Sequence, residues 1–179
     1  MNEDAFDSLY RTWYRPLVAK AFLVTAGRLG AAEDAVQEAF MQCWRRMNDP
    51  YGPPVQHWGG WLSATVVREA LRRRSPNVPL DLGRHDSAAN APDLAVEVQL
   101  KDVYRRVCEE MARLEERPRQ AMALRCIAGL STAEVAEEMG ITQSTVRVHL
   151  ANARRALEPL RVDLRQLGIV DDEEGGRRG

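Results

Sequence analysis

The stretch Ser131–Leu157 constrains the fold most, because its helix punctuation is spelled out residue by residue. Ser131-Thr132-Ala133-Glu134 is a capping box: the serine hydroxyl can accept from the backbone N–H of Glu134, and the Glu134 carboxylate can reach back to the serine N–H. Val135, Ala136 and Met139 then support a short helix from Thr132 to Met139. Gly140 supplies the left-handed backbone that a tight turn needs, and Thr142 is a good N-cap for a second helix running to about Leu157. Val146, Leu150, Ala153 and Leu157 stripe one face of that helix, and Ala136 is small enough to let the two helices cross closely. Two short helices joined by such a turn form a helix-turn-helix. The opposite face of the second helix carries Ser144, Thr145, Arg147, Val148, Ala151, Asn152, Arg154 and Arg155. Hydroxyl, amide and guanidinium donors mixed with small apolar groups suit base edges and phosphates in a major groove.

The rest of the chain is helical in pattern too. Ala, Leu, Arg and Glu dominate and β-branched runs are rare, so the expected fold class is all-α. Phe6, Leu9, Tyr10, Trp13, Leu17, Ala21 and Val24 recur at three- and four-residue intervals, and Gly27–Gly30 is expected to break that helix. A second helix, from about Ala31 to Met47, carries Ala35, Val36, Ala39, Phe40, Cys43, Trp44 and Met47 on its apolar stripe. Opposite them lie Asp34, Gln37, Glu38 and Gln42. The Pro- and Gly-rich stretch Asn48–Gly60 reads as a loop, and a third helix starts near Trp61 and ends in Arg72-Arg73-Arg74. After a segment rich in Pro, Ser, Asn and Gly, Leu100–Leu114 reads as an amphipathic helix, followed by another that begins around Pro118 and is stopped by Gly129.

Charge divides the chain the same way. Residues 1–75 and 99–167 each carry a net charge of +2, whereas residues 76–98 carry −3. The expected organisation is therefore two small helical domains, 1–75 and 99–167, a flexible acidic linker over 76–98, and a disordered tail over 168–179. Cys43, Cys108 and Cys126 form no CxxC pair and sit among apolar helical positions, which predicts buried free thiols. His57, His85 and His149 share no ligand spacing with them, so no metal and no cofactor are expected. Neither half shows a nucleophile–base pair or a phosphate loop, and no enzymatic activity is expected. The acidic N-terminus and the lack of a long uncharged apolar run predict a cytoplasmic chain without a signal peptide or membrane span.

The segment LEERPRQAMALRCIAGLSTAEVAEEMGITQSTVRVHLANARRAL resembles the C-terminal promoter-binding domain of sigma factors of the extracytoplasmic-function (ECF) group. FDSLYRTWYRPLVAKAFLVTAGRLGAAEDAVQEAFMQCWRRM resembles the other domain of the same group. The resemblance implies a factor that binds core RNA polymerase and directs initiation through the −10 and −35 promoter elements. It implies that the helix at Ala32–Trp44 docks on the β′ clamp helices through Asp34, Gln37, Glu38 and Gln42, an acidic and amide stripe suited to a basic helix pair. The −10 element falls to Trp58, Trp61, Arg68, Arg72, Arg73 and Arg74, with Tyr51 and His57 in the preceding loop. This chain places Arg68 and Arg72 where the family usually has Asn and Asp, but the cationic helix end still suits phosphates. The −35 element falls to the helix-turn-helix face. The β flap is a further contact that the resemblance implies, and an anti-sigma factor a further partner that it allows.

Two other readings compete. A stand-alone LuxR-like helix-turn-helix regulator shares much of the second motif and predicts dimers that bind DNA without polymerase. An enzyme or signalling module with an attached DNA-binding domain predicts a pocket and a phosphoacceptor Asp at a strand end, for which the first half offers no strand.

Overall fold

A computed structural model describes residues 2–73 and 98–169 of the chain. Most of the expected linker, Arg74 and residues 170–179 lie outside the described residues. Within them the all-α expectation holds, with helices and turns and no strand.

Three helices build the first half: α1 (Asn2–Val24), α2 (Leu29–Met47) and α3 (Trp58–Arg73). Each packs against the other two. Leu17, Phe22, Val36, Leu62, Val66 and Val67 interdigitate at the centre, essentially without exposure. Burying a side chain the size of Phe22 contributes about 3 kcal/mol relative to leaving it in water. The α1–α2 break lies earlier than expected. Ala26 and Gly27 take positive φ (56° and 79°), the Gly27 N–H bonds back to the Phe22 carbonyl, and Gly30 sits inside α2.

The second correction concerns Trp58–Gly60, which form the first turn of α3 rather than the end of a loop. Gly59 is where the Trp13 ring crosses α3. A Cβ added there would come within 2.4 Å of the indole, so the glycine permits a close approach rather than a turn.

The second half contains α4 (Val98–Arg113), α5 (Glu116–Met122), α6 (Thr132–Met139), α7 (Gln143–Leu157) and α8 (Arg161–Gln166). Between α5 and α6 the helix widens into a π turn over Ala123–Ile127, where the Ala128 N–H bonds to the Ala123 carbonyl five residues back. Pro159 falls in a 3₁₀ turn, Glu158–Leu160, that separates α7 from α8. Arg106 of α4 clamps Asp163 of α8 through two hydrogen bonds of 2.9 and 3.0 Å. Ordered packing continues into the expected tail: Gly168 turns with φ +68°, and Ile169 is buried at 6% exposure.

The halves, expected as separate units, lie against one another in a single buried apolar cluster. α1 meets α4, and α3 meets the π turn. The Cys108 thiol lies 3.8 Å from the Phe22 carbonyl, and Arg68 Nε donates to Glu138 Oε2 at 2.8 Å. A cleft at the junction is lined by Lys20 and Leu23 on one side and by Tyr104, Cys126 and Ile169 on the other. Burial pulls the Lys20 ammonium below its ordinary pKa, and it donates to Ser63 Oγ at 2.7 Å. Cys43 and Cys108 are buried as expected, whereas Cys126 is only half-buried beside this cleft; none of the three is in a disulfide. No helix among the described residues is long and apolar enough to cross a membrane.

Candidate nucleic-acid interface

The helix-turn-helix forms as its punctuation requires. Ser131 Oγ accepts from the Glu134 N–H at 3.2 Å, and the Glu134 carboxylate accepts from the Ser131 N–H at 2.7 Å. The Ser131 N–H, and after it the Ser131 hydroxyl, favour the charged carboxylate and hold its pKa below the ordinary value. Gly140 takes φ +65° and ψ 35°, and the Ile141 N–H bonds back to the Ala136 carbonyl. Val135, Ala136, Met139, Val146, Leu150, Ala153 and Leu157 are all buried, so the inward stripe reads as its spacing indicated.

That packing leaves the other face of α7 outward. Ser144, Arg147, Val148, Ala151, Asn152 and Arg155 are exposed, and Arg154 is half-buried. Val148 stands at 58% exposure, an apolar side chain in water on a face otherwise rich in donors. The hydroxyls of Ser144 and Thr145 each lie 2.8 Å from the Thr142 hydroxyl, so they share the N-cap of α7 rather than pointing freely outward. Arg147 and Arg155 carry no ion pair among the described residues.

On α2, Asp34 and Gln37 are exposed and Glu38 is half-buried. Beside them lie Met41 and Trp44, apolar side chains at 48% and 38% exposure; Trp44, expected on the inward stripe, instead sits at its margin with its ring against the edge of Phe6. Gln42 turns away from this stripe. Its amide donates to Glu38 Oε1 at 3.3 Å and to Glu69 Oε1 of α3 at 3.0 Å.

The α3 residues expected at the −10 element fall into two groups. Trp58 and Trp61 are half-buried and meet edge to face, with centroids 5.7 Å apart, while Tyr51 in the preceding loop is 96% exposed. The described arginines are each held by a carboxylate. Arg68 pairs with Glu138 across the junction, while Arg72 Nη1 and Arg73 Nη1 donate to the two oxygens of Glu69 at 2.7 and 2.8 Å. Arg28 from the α1–α2 turn caps the group, donating to the Arg73 carbonyl at 3.2 Å. Neither carboxylate was singled out in the sequence. Glu69 stands three and four residues before Arg72 and Arg73, a spacing that brings helix side chains together. Glu138 is 70 residues from Arg68 and has no local signal at all.

This fold defines a helix-turn-helix protein whose recognition helix is set on a second, three-helix half. Residues 104–157 match the family described as Sigma-70, region 4. The chain is 29% identical over 148 residues to ECF RNA polymerase sigma factor SigL of Mycobacterium tuberculosis, spanning 80% of each protein. It is 30% identical over 137 residues to ECF RNA polymerase sigma factor SigK of Mycobacterium ulcerans, spanning 72% of this chain and 71% of the relative. Probable RNA polymerase sigma factor RfaY of Xanthomonas campestris pv. campestris is 26% identical over 157 residues, 85% of this chain and 39% of that protein. Alignments of this length run across both halves, whereas a free-standing helix-turn-helix regulator would match the second half only. The chain belongs to the ECF group of RNA polymerase sigma factors.

Proposed function

We propose that the chain attaches to core RNA polymerase through its first half and selects promoters by a division of labour between the halves. Residues 1–75 dock on the β′ clamp helices through Asp34, Gln37 and Glu38, with Gln42 as an inner strut, and take up the −10 strand at Trp58, Trp61, Arg68, Arg72, Arg73 and Arg74. Residues 99–167 grip the −35 duplex through α7 and meet the β flap. The acidic segment between them serves as a linker. The factor does no bond chemistry of its own and works in the cytoplasm, where polymerase and promoter are.

The observation that carries this reading is the α7 face. Arg147, Val148, Ala151 and Asn152 share one exposed side of a helix whose other side is locked by a buried stripe, a Thr142 cap and the Gly140 turn. A rigid helix presenting a guanidinium, an amide and apolar groups together suits direct readout of a major groove. Run-off transcription with purified core polymerase tests it, using templates with point changes across the −10 and −35 elements. Transcripts that depend on the chain and on both elements support the reading. Tight operator binding by dimers without core polymerase would transfer it to a stand-alone regulator.

A further inference from the structure

Glu69 sits among the arginines that end α3, yet only 6% of it is exposed. A carboxylate withdrawn from water is costly unless donors replace the solvent. Here Gln42 and Arg72 share Oε1, at 3.0 and 2.7 Å, and Arg73 takes Oε2 at 2.8 Å. Both oxygens are engaged and the donors come from two helices, so the carboxylate is fixed in orientation and fixes the guanidinium pair in turn.

Two cations share one anion, so the cluster keeps a positive balance. The Arg72 side chain is 69% exposed, and a guanidinium has five N–H donors, of which Glu69 takes one. Its outer edge is therefore open to a phosphate while its inner edge is held. A free arginine samples many rotamers and loses affinity when a ligand orders it. Glu69 does that ordering in advance, and through Gln42 it ties the arginines to α2, the helix read as the polymerase-docking element.

We propose that Glu69 is a positioning residue for promoter binding: its buried carboxylate holds Arg72 and Arg73 in the geometry that meets the −10 strand phosphates and sets that geometry relative to α2. The inference rests on the reading of the α3 end as the −10 contact.

The test uses holoenzyme preformed at saturating factor, so that core affinity does not enter. The probe is a fork DNA with a duplex −35 element and a single-stranded −10 element, titrated by fluorescence anisotropy at several salt concentrations. Glu69→Gln should weaken binding about tenfold, the effect of releasing two ordered side chains. Gln42→Met, which removes the tie to α2 together with the Gln42–Glu38 bond and leaves both arginine pairs, should weaken it about threefold. The double variant Arg72→Gln/Arg73→Gln should weaken binding and flatten the slope of log K against log salt by roughly 1.4, for two single-strand phosphate contacts. In that double background, adding Glu69→Gln or Gln42→Met should cost nothing more, because the side chains they position are gone. A merely structural Glu69 would lower affinity just as much in the double background, and that result overturns the proposal. Binding by Glu69→Gln as tight as wild type or tighter also overturns it. If Glu69→Gln does not fold, as judged by circular dichroism, Gln42→Met decides by the same two comparisons. An unchanged affinity and salt slope in the arginine double variant would instead overturn the −10 reading of α3 itself.

Discussion

The same substitution, Gly→Ala, should change stability with opposite sign at two positions of this fold, because the backbone differs and the surroundings do not. A Cβ built on Gly30 or on Gly140 meets no heavy atom within 4 Å, so sterics with neighbours are equal. Gly30 is the second residue of α2, where alanine is the better residue by at most about 1 kcal/mol, the value for a helix interior. Gly140 holds φ +65° at the helix-turn-helix corner, where a side chain costs about 1–2 kcal/mol. The stiffer unfolded chain of an alanine variant returns about 0.4–1 kcal/mol of that cost. Gly140→Ala should therefore destabilise by about 1 kcal/mol and Gly30→Ala stabilise by up to that amount, a gap of about 1–2 kcal/mol, or roughly five- to thirtyfold in the unfolding equilibrium. Urea titration followed by circular dichroism measures both, with the midpoint compared at constant slope. Gly140→Asn, which tolerates left-handed backbone, should recover part of the loss. If both alanine variants move the midpoint in the same direction, the assignment of a left-handed turn between α6 and α7 is wrong.

Three further outcomes are expected. Glu38→Lys reverses a charge on the α2 stripe and should weaken core polymerase binding, compared with wild type once circular dichroism shows that the variant is folded; an unchanged pull-down would remove Glu38 from the interface. Arg147→Ala should cost about 1–3 kcal/mol at one −35 base pair and relax preference there, whereas Arg155→Ala should weaken all promoters alike with a shallower salt slope. A −35 point-mutant series distinguishes the two, and an equal loss on every promoter would make Arg147 a phosphate anchor. Burial pushes the Cys43 thiol up to about 11 and the Cys108 thiol up to about 12, so both should resist alkylation at pH 8 while half-buried Cys126 reacts. The raised values mean that the native state holds those protons more tightly than the unfolded chain, so stability should be intact below about pH 8.5 and fall as pH rises through the thiol range. Mass spectrometry of the alkylated native protein and denaturation at pH 8 and 10 check the pair of statements.

What could be read in advance follows the range of the interaction. The capping box at Ser131 and Glu134, the Gly140 turn and the Thr142 cap are bonds over three to five residues, and each formed where its residue types placed it. The inward stripe of α7 was equally legible, since burial there follows from helix period alone. Gly59 and Gly60 read locally as loop residues, yet they lie in the first turn of α3, and the close approach of Trp13 to Gly59, 46 positions away in sequence, has no local sign. Arg72 and Arg73 were visible as a cationic end, and the spacing of Glu69 three and four residues earlier offers them a partner, but nothing in local pattern marks Glu69 as buried. Gln42 looked like part of an outward stripe; its position on α2 is compatible with either face until α3 supplies an acceptor. The pairing of Arg68 with Glu138 joins the two halves and is beyond any local signal.

That pairing also carries a constraint of length. Arg68 belongs to the helix proposed to meet the −10 element, and Glu138 to the helix that precedes the proposed −35 reader, yet their side chains touch at 2.8 Å. Two elements about 25 base pairs apart are separated by about 85 Å of duplex at 3.4 Å per pair. The chain in this arrangement is a folded ruler, far shorter than the interval it would have to measure. To lie along a promoter, it must give up the ion pair and expose the apolar surface that α1 and α3 share with α4 and the π turn. On this reading, the surfaces of core polymerase and promoter DNA have to offset what that opening loses.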